Sequence, residues 1–273
     1  DAYSVAGALR DQPDVIFIQR SRGYASRPAL TIAHIAALIA QSRNDAPGAV
    51  IVVDNCYGEF VEGREPSDVG ADVVIGSLIK NPGAGIAPGG AYIAGRTDLV
   101  ERIADAVFAP GLGRKVGASY DSLRWLFAGL QRAPQGVAQS LKILDFAAAL
   151  FGRLGFAVQP EPGAERGDII QAIRLGSAET LDAFCEGLQA LMPVHPHAKP
   201  VAGPVPGYHD PVLMAGGPFI NGSTMELSCD APLRDPYAVY LQGGLDVAHG
   251  VLACMNAATA VVSRGRHSGT ARE

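Results

Sequence analysis

Between positions 54 and 80 a few reactive side chains fall in a regular pattern. Asp54 ends an apolar run, AVIVVD, at residues 49–54, and Tyr57 follows it by three. Ser77 ends the next apolar run, residues 71–77, and Lys80 follows that by three. A stretch rich in glycine and proline, NPGAGIAPGG, then occupies residues 81–90. In open α/β sheets ligands gather beyond the C-terminal ends of the strands, where these residues fall. An amine placed there can condense with a carbonyl, and a carboxylate can hold a ring nitrogen protonated. Hydroxyls and backbone N–H groups can take a phosphate. Pyridoxal phosphate asks for that set. Lys80 is the candidate for its Schiff base, Asp54 for the carboxylate at its pyridine nitrogen, Tyr57 for a donor at its phenolic oxygen and Ser77 for a phosphate contact. The glycines would let backbone approach it closely. Each residue also has an ordinary reading: Lys80 as a solvated loop lysine, Asp54 as a turn or cap, Tyr57 as packing and Ser77 as a helix cap or turn residue.

The elements that must position these residues are legible as alternation. Residues 13–19, 49–54, 71–77 and 90–94 read as short buried strands. Residues 31–42 have helical spacing with Thr31 as N-cap, and a further helix runs from Thr97 to about 106. Such alternation implies a mainly parallel sheet with helices on its faces. Residues 119–155 read as helical, and the apolar segment 135–154 is long enough to join two domains. Beyond it the pattern changes to α+β. Strands are expected at 156–159 and 169–175, a helix at 177–191 and a loop at 193–211. Strands at 212–220 and 223–229 are separated by Asn221-Gly222, a hairpin signal. A last helix is expected at about 242–262, with a polar, disordered tail at 264–273.

Composition sets the class. The chain has 273 residues, 48% apolar and 18% charged, with a net charge of −5, which describes a core-forming globular protein. The scattered basic residues argue against nucleic acid or a membrane surface as partner. Cys56, Cys185, Cys229 and Cys254 form no CxxC pair and read as reduced thiols in a cytoplasmic protein. No apolar run reaches the ~18 residues of a membrane span, and no signal-peptide pattern is seen. His195 and His197 form an HxH pair in a proline-rich loop, but no third ligand is identifiable, so no metal is expected. Arg20 and Arg22 follow the first strand and could meet a substrate carboxylate or pair with acids. Cys56 reads as packing. Asp168 and the glutamates at 59, 62 and 65 read as solvated charge.

Several segments together resemble one family. IQRSRGYASRPALTI (18–32), VDNCYGEFVE (53–62), ADVVIGSLIKNPGAGIAPGGAYIAGR (71–96) and PGYHDPVLMAGGPFINGSTMELSCDAPLRDPYAVYLQGG (206–244) are similar to the pyridoxal phosphate-dependent methionine gamma-lyase family, also called the aluminium-resistance protein family. The resemblance covers roughly 1–262. It implies the aspartate-aminotransferase fold (fold type I). Residues 1–134 would be the C-terminal part of the cofactor-binding large domain, 135–155 a connecting helix and 156–263 a small α+β domain. It implies Lys80 as the Schiff-base lysine, with Asp54, Tyr57 and Ser77 around the cofactor. It also places Arg234 where this fold binds the substrate α-carboxylate, with Arg22 as a second candidate. The implied activity is carbon–sulfur lysis of an amino acid by α-proton abstraction and β- or γ-elimination, with a transaminase or an inactive fragment as alternatives. The implied assembly is a homodimer or homotetramer. Ala84 stands where family members often have Gly, and Gly89 where Thr is common. The chain starts at Asp1 and soon enters a strand, so a preceding N-terminal portion is expected to complete the phosphate site and to cover apolar surface left open here.

Overall fold

A computed structural model describes residues 2–108, 112–115 and 121–269. The first layer is a four-stranded sheet in the order β1 (Val15–Gln19), β2 (Val50–Asp54), β3 (Val73–Ser77), β4 (Ala91–Gly95). β1, β2 and β3 run parallel, whereas β4 returns antiparallel, so the sheet is mixed. A helix at the start, α1 (Ala2–Leu9), escaped the sequence reading. Helix α2 (Ile32–Asp45) covers one face of the sheet. Thr31 caps it by accepting from the His34 N–H, and its helical spacing puts Ile32, Ile35 and Ile39 against Ile18, Ile51 and Val53. The opposite face carries Val15 and Phe17, both more than half exposed. Helix α3 (Thr97–Val107) follows β4.

Helix α4 (Leu123–Arg153) continues without a break through Pro134 into the second layer; residues 119 and 120 lie outside the described residues. That layer is an antiparallel five-stranded sheet in the order β5 (Ala157–Gln159), β6 (Ile170–Arg174), β9 (Ala238–Gln242), β8 (Ser228–Pro232), β7 (Val212–Gly216). One face packs Ile173, Cys229, Val239 and Leu241 against α4, α5 (Ala178–Gln189) and α6 (Val247–Gly269). Strand periodicity turns Ile170, Ala172, Asp230, Tyr240 and Gln242 to the other face, toward the first sheet.

The C-terminal third departs from the sequence reading in three places. β7 and β8 do pair antiparallel, but residues 217–227 separate them, and 217–220 and 223–227 are not strand. Glu226 explains this: its buried carboxylate accepts from the Ser223 hydroxyl (2.6 Å) and the Phe219 N–H (3.3 Å), local bonds that compete with a ladder. Gln242 ends a strand instead of starting the last helix. That helix, α6, reaches Gly269, through positions read as tail; residues 270–273 lie outside the described residues.

Two glycine-type positions fix the loop after Lys80. A side chain at Gly129 of α4 would come within 2.5 Å of the Gly83 carbonyl oxygen, so the helix can lie directly on residues 81–83. Ala84 ends that turn in the left-handed region, at φ 46° and ψ 35°. An L side chain strains this conformation and glycine does not. Ala84→Gly is therefore expected to stabilise the protein by about 1 kcal/mol, read as a raised urea midpoint at unchanged slope.

Candidate active site

Asp54 and Ser77 end adjacent parallel strands. Asp54 is in register with Ile75, and the two-residue strand period puts Ser77 on the same face as both. The chain then turns sharply after β2. The Cys56 N–H donates to Asp54 Oδ1 (3.0 Å), the Gly58 N–H donates to the Asn55 carbonyl, and Tyr57 is held at φ 70°. An aromatic residue at positive φ is a strained outlier, and its neighbours hold it there. The Ile169 N–H donates to the Tyr57 carbonyl, and Gly58 leaves room for the Arg20 guanidinium, which a Cβ would crowd: the Arg20 side chain would lie 2.4 Å from it.

Lys80 projects from the turn after β3, and its Nζ donates to Tyr57 Oη at 2.8 Å. Both residues line a cavity of about 360 Å³ between the two sheets, in the size range of small-molecule sites. Met214, Gly216, Ser228, Asp230 and Gln242 form the wall contributed by the second sheet. Burial pulls the Lys80 ammonium below the ordinary lysine range, opposed by Cys56, Asp230, Glu59 and Asp54. An amine so placed is a better proton acceptor near neutral pH than a solvated lysine. Burial raises the Tyr57 phenol, so Tyr57 stays protonated. The Cys56 thiol is pushed up to about 12 by burial and by Asp54, as an unreactive packing residue should be.

The sequence candidates separate spatially. Tyr57 and Lys80 share the cavity, whereas Asp54 and Ser77 end the adjacent strands β2 and β3 and are not among its described lining residues. Arg234 lines a neighbouring cleft with Tyr24, Arg174 and Tyr240. It donates to the Tyr24 carbonyl (3.0 Å) and pairs with Asp210 (3.3 Å). Arg22 is buried in the seam between the sheets, where its Nη1 donates to the Gln159 carbonyl (3.1 Å). Its Nε and Nη2 have no partner among the described residues. Arg20 is wholly buried, bonded to Asn55 (2.8 Å) and paired with Glu62 (2.6 Å) and Glu65 (3.5 Å), so it clamps residues 55–65 onto the strand ends. His195 and His197 stay in their loop, and no group of three metal-ligating side chains is found among the described residues.

Two residues read as solvated charge are in fact buried. Asp168 is 1% exposed and accepts from Ser21 Oγ and from the N–H groups of Arg22 and Ile170. Glu59 is 4% exposed, with Oε1 accepting from Tyr92 Oη (2.9 Å) and Oε2 unpaired among the described residues. Burial pushes the Glu59 carboxyl up to about 8. A raised carboxyl binds its proton more tightly in the folded state. Its contribution to stability is thus complete below the ordinary glutamate range and is lost as pH rises through about 8. Glu59→Gln should therefore gain stability relative to wild type, by at least about 1 kcal/mol, as denaturation is moved from acid to mildly alkaline pH.

Asp230, Ser228 and Gln242 were missed as site residues. The signal was available: Ser228 and Asp230 alternate in LSCDAP with the two-residue period of a strand, polar on the face opposite Cys229.

The family model for methionine gamma-lyase matches residues 1–262. An uncharacterized protein, YnbB, of Bacillus subtilis (strain 168) is 44% identical over 249 residues, which cover 91% of this chain and 59% of that protein. A crystal structure from Listeria monocytogenes, provisionally described as a cystathionine beta-lyase involved in aluminum resistance, superposes with a TM-score of 0.91 at 43% identity, covering 96% of this chain and 64% of that one. A carbon-sulfur lyase involved in aluminum resistance from Clostridium novyi NT superposes with a TM-score of 0.87 at 37% identity, covering 95% of this chain and 60% of that one. Cystathionine gamma-lyase from yeast, at 17% identity and a TM-score of 0.63, shares the fold alone. The chain thus spans about three-fifths of the length of these relatives. Among the described residues, no helix is long and apolar enough to cross a membrane.

Proposed function

The chain belongs to the methionine gamma-lyase family, and from that premise we propose that it forms the lysine-bearing part of a pyridoxal phosphate-dependent carbon–sulfur lyase acting on a sulfur-containing amino acid. One observation supports this most: a half-buried lysine with a lowered proton affinity, hydrogen-bonded to a tyrosine at the mouth of a cavity between two sheets. The donor set fits the cofactor. Lys80 offers the amine, Asp54 the carboxylate at a strand end, Ser77 a hydroxyl one strand over and Tyr57 a protonated phenol. The buried Ser228 Oγ, unpaired among the described residues, indicates that the cavity is built to meet a polar ligand. When bound, the cofactor supplies an electron sink for the carbanion left by α-proton removal.

The side chains divide the remaining work. Lys80 Nζ takes the α-proton, which its lowered proton affinity permits near neutral pH. Tyr57 Oη orients that amine by the 2.8 Å hydrogen bond. Arg234 is the proposed contact for the substrate carboxylate and Arg22 the second, with two donors, unpaired among the described residues, that a carboxylate would satisfy. Elimination then releases a thiol, and water converts the remainder to a 2-oxo acid and ammonia. Arg234→Ala should raise KM by about tenfold or more with a smaller change in kcat, because a lost carboxylate contact weakens binding before it slows chemistry.

The full-length protein is proposed to act as a cytoplasmic homodimer or homotetramer. The test is a product analysis of the full-length enzyme with S-alkyl cysteine and S-alkyl homocysteine substrates. Equimolar thiol and 2-oxo acid support elimination, and the choice of substrate separates β from γ. A new amino acid formed from an added 2-oxo acid, without thiol, would replace the lyase by a transaminase.

A further inference from the structure

The wall of the Lys80 cavity opposite the first sheet has unmet hydrogen-bonding capacity. Register puts Gly216, Ser228 and Gln242 side by side on β7, β8 and β9, with Asp230 two residues along β8 on the same face. Gly216 is required there: a Cβ would lie 2.6 Å from that of Ser228. Asp230 accepts from Tyr24 Oη (2.9 Å) and from Gln242 Nε2 (3.3 Å), and both bonds go to Oδ2. Among the described residues no donor reaches Oδ1, and Lys80 gives its hydrogen bond to Tyr57 instead. Ser228 Oγ is buried without a partner among the described residues. Buried polar atoms in native proteins are almost always satisfied, so the open Ser228 Oγ, beside an Asp230 carboxylate whose described bonds use Oδ2 alone, points to a ligand that donates.

We propose that Asp230, with Ser228 beside it, selects the substrate, favouring amino acids whose sulfur-borne group ends in an ammonium over those ending in an alkyl group. An ammonium brings three donors and a positive charge, which together answer the open Oδ1 and the Ser228 hydroxyl. The Tyr24 and Gln242 bonds hold by Oδ2 the carboxylate of a residue that lines the cavity. Burial raises the Asp230 carboxyl and the Lys80 charge opposes this; a cation held in the cavity would oppose it further. This inference rests on the elimination reading only for what happens to the substrate after it binds.

The experiment uses the full-length, cofactor-loaded enzyme and two near-isosteric probes, S-(2-aminoethyl)-cysteine and S-propyl-cysteine. Binding is read by calorimetry and cleavage by thiol release, for wild type, Asp230→Asn and Ser228→Ala. The amide oxygen that Asp230→Asn introduces can still accept from Tyr24 and Gln242, and melting curves check that both variants fold. The expected result is a preference of wild type for the amine-bearing probe by about ten- to hundredfold, the size of a charge-assisted hydrogen bond. Asp230→Asn should abolish that preference, by weakening the amine-bearing probe more than the propyl probe; Ser228→Ala should reduce it. Equal binding of the two probes by wild type, or equal losses for both in Asp230→Asn, overturns the proposal. If the preference appears in binding and vanishes in Asp230→Asn while neither probe releases thiol, the selecting wall stands and the elimination reading falls. Thiol release from both probes without preference does the reverse.

Discussion

Lys80→Ala in the full-length enzyme is expected to lower kcat by about 10⁴-fold, at the upper end of what loss of a positioned acid–base group costs. The same change should leave folding intact. Lys80 is only partly buried, and its described side-chain partner is Tyr57, itself fixed by the backbone bond from Ile169. Added alkylamines should restore part of the rate, since the cavity of about 360 Å³ has room for a small base where the side chain is removed. Lys80→Arg should not rescue, because a guanidinium stays protonated. A Lys80→Ala enzyme that kept even a tenth of wild-type kcat would require another general base.

The second large effect concerns stability. Asp168→Ala should cost about 3–5 kcal/mol, as removal of one partner from a buried charged cluster does. Asp168 is the acceptor for three donors, Ser21 Oγ and the N–H groups of Arg22 and Ile170, and it is 1% exposed. It also supplies opposing charge to the buried guanidiniums of Arg22 and Arg166. Burial raises its own carboxyl, against the pull of Arg22 and of these donors, so its position is a compromise that its neighbours maintain. Asp168→Asn keeps an acceptor and should cost clearly less. Since Asp168 ties residues 21–22 of the first layer to the strand β6 of the second, Asp168→Ala should also widen the seam and weaken substrate binding. Calorimetric melting of the two variants checks the order.

The strands that carry the candidate residues were legible in the sequence because their signals are local. Buried parallel strands read as unbroken apolar runs, and a chemistry-bearing residue sits at or just past the end of each, Asp54 and Tyr57 for one and Ser77 and Lys80 for the other. Thr31 and its isoleucines announced α2 for the same reason. What escaped was non-local. That Asp168 and Glu59 are buried follows from what lies across the seam and across the sheet, which charge alone does not reveal. The Asn221-Gly222 pair carried the right turn chemistry, but a buried Glu226 gathered the neighbouring donors and kept the flanking residues out of the ladder. With β8 misplaced by that reading, the alternation of Ser228 and Asp230 was passed over. Arg20, from its place after β1, read equally as a carboxylate contact or as a partner of acids, and Glu62 and Glu65, more than forty residues away, claim it.

The measurement closest to the central claim is covalent trapping. The full-length protein would be incubated with pyridoxal phosphate, reduced with borohydride, digested and mapped by mass spectrometry. The account predicts a pyridoxyl adduct on the peptide bearing Lys80, formed once per chain and lost in Lys80→Ala. An adduct carried instead by Lys115, Lys142 or Lys199, or spread evenly over all four, would contradict it.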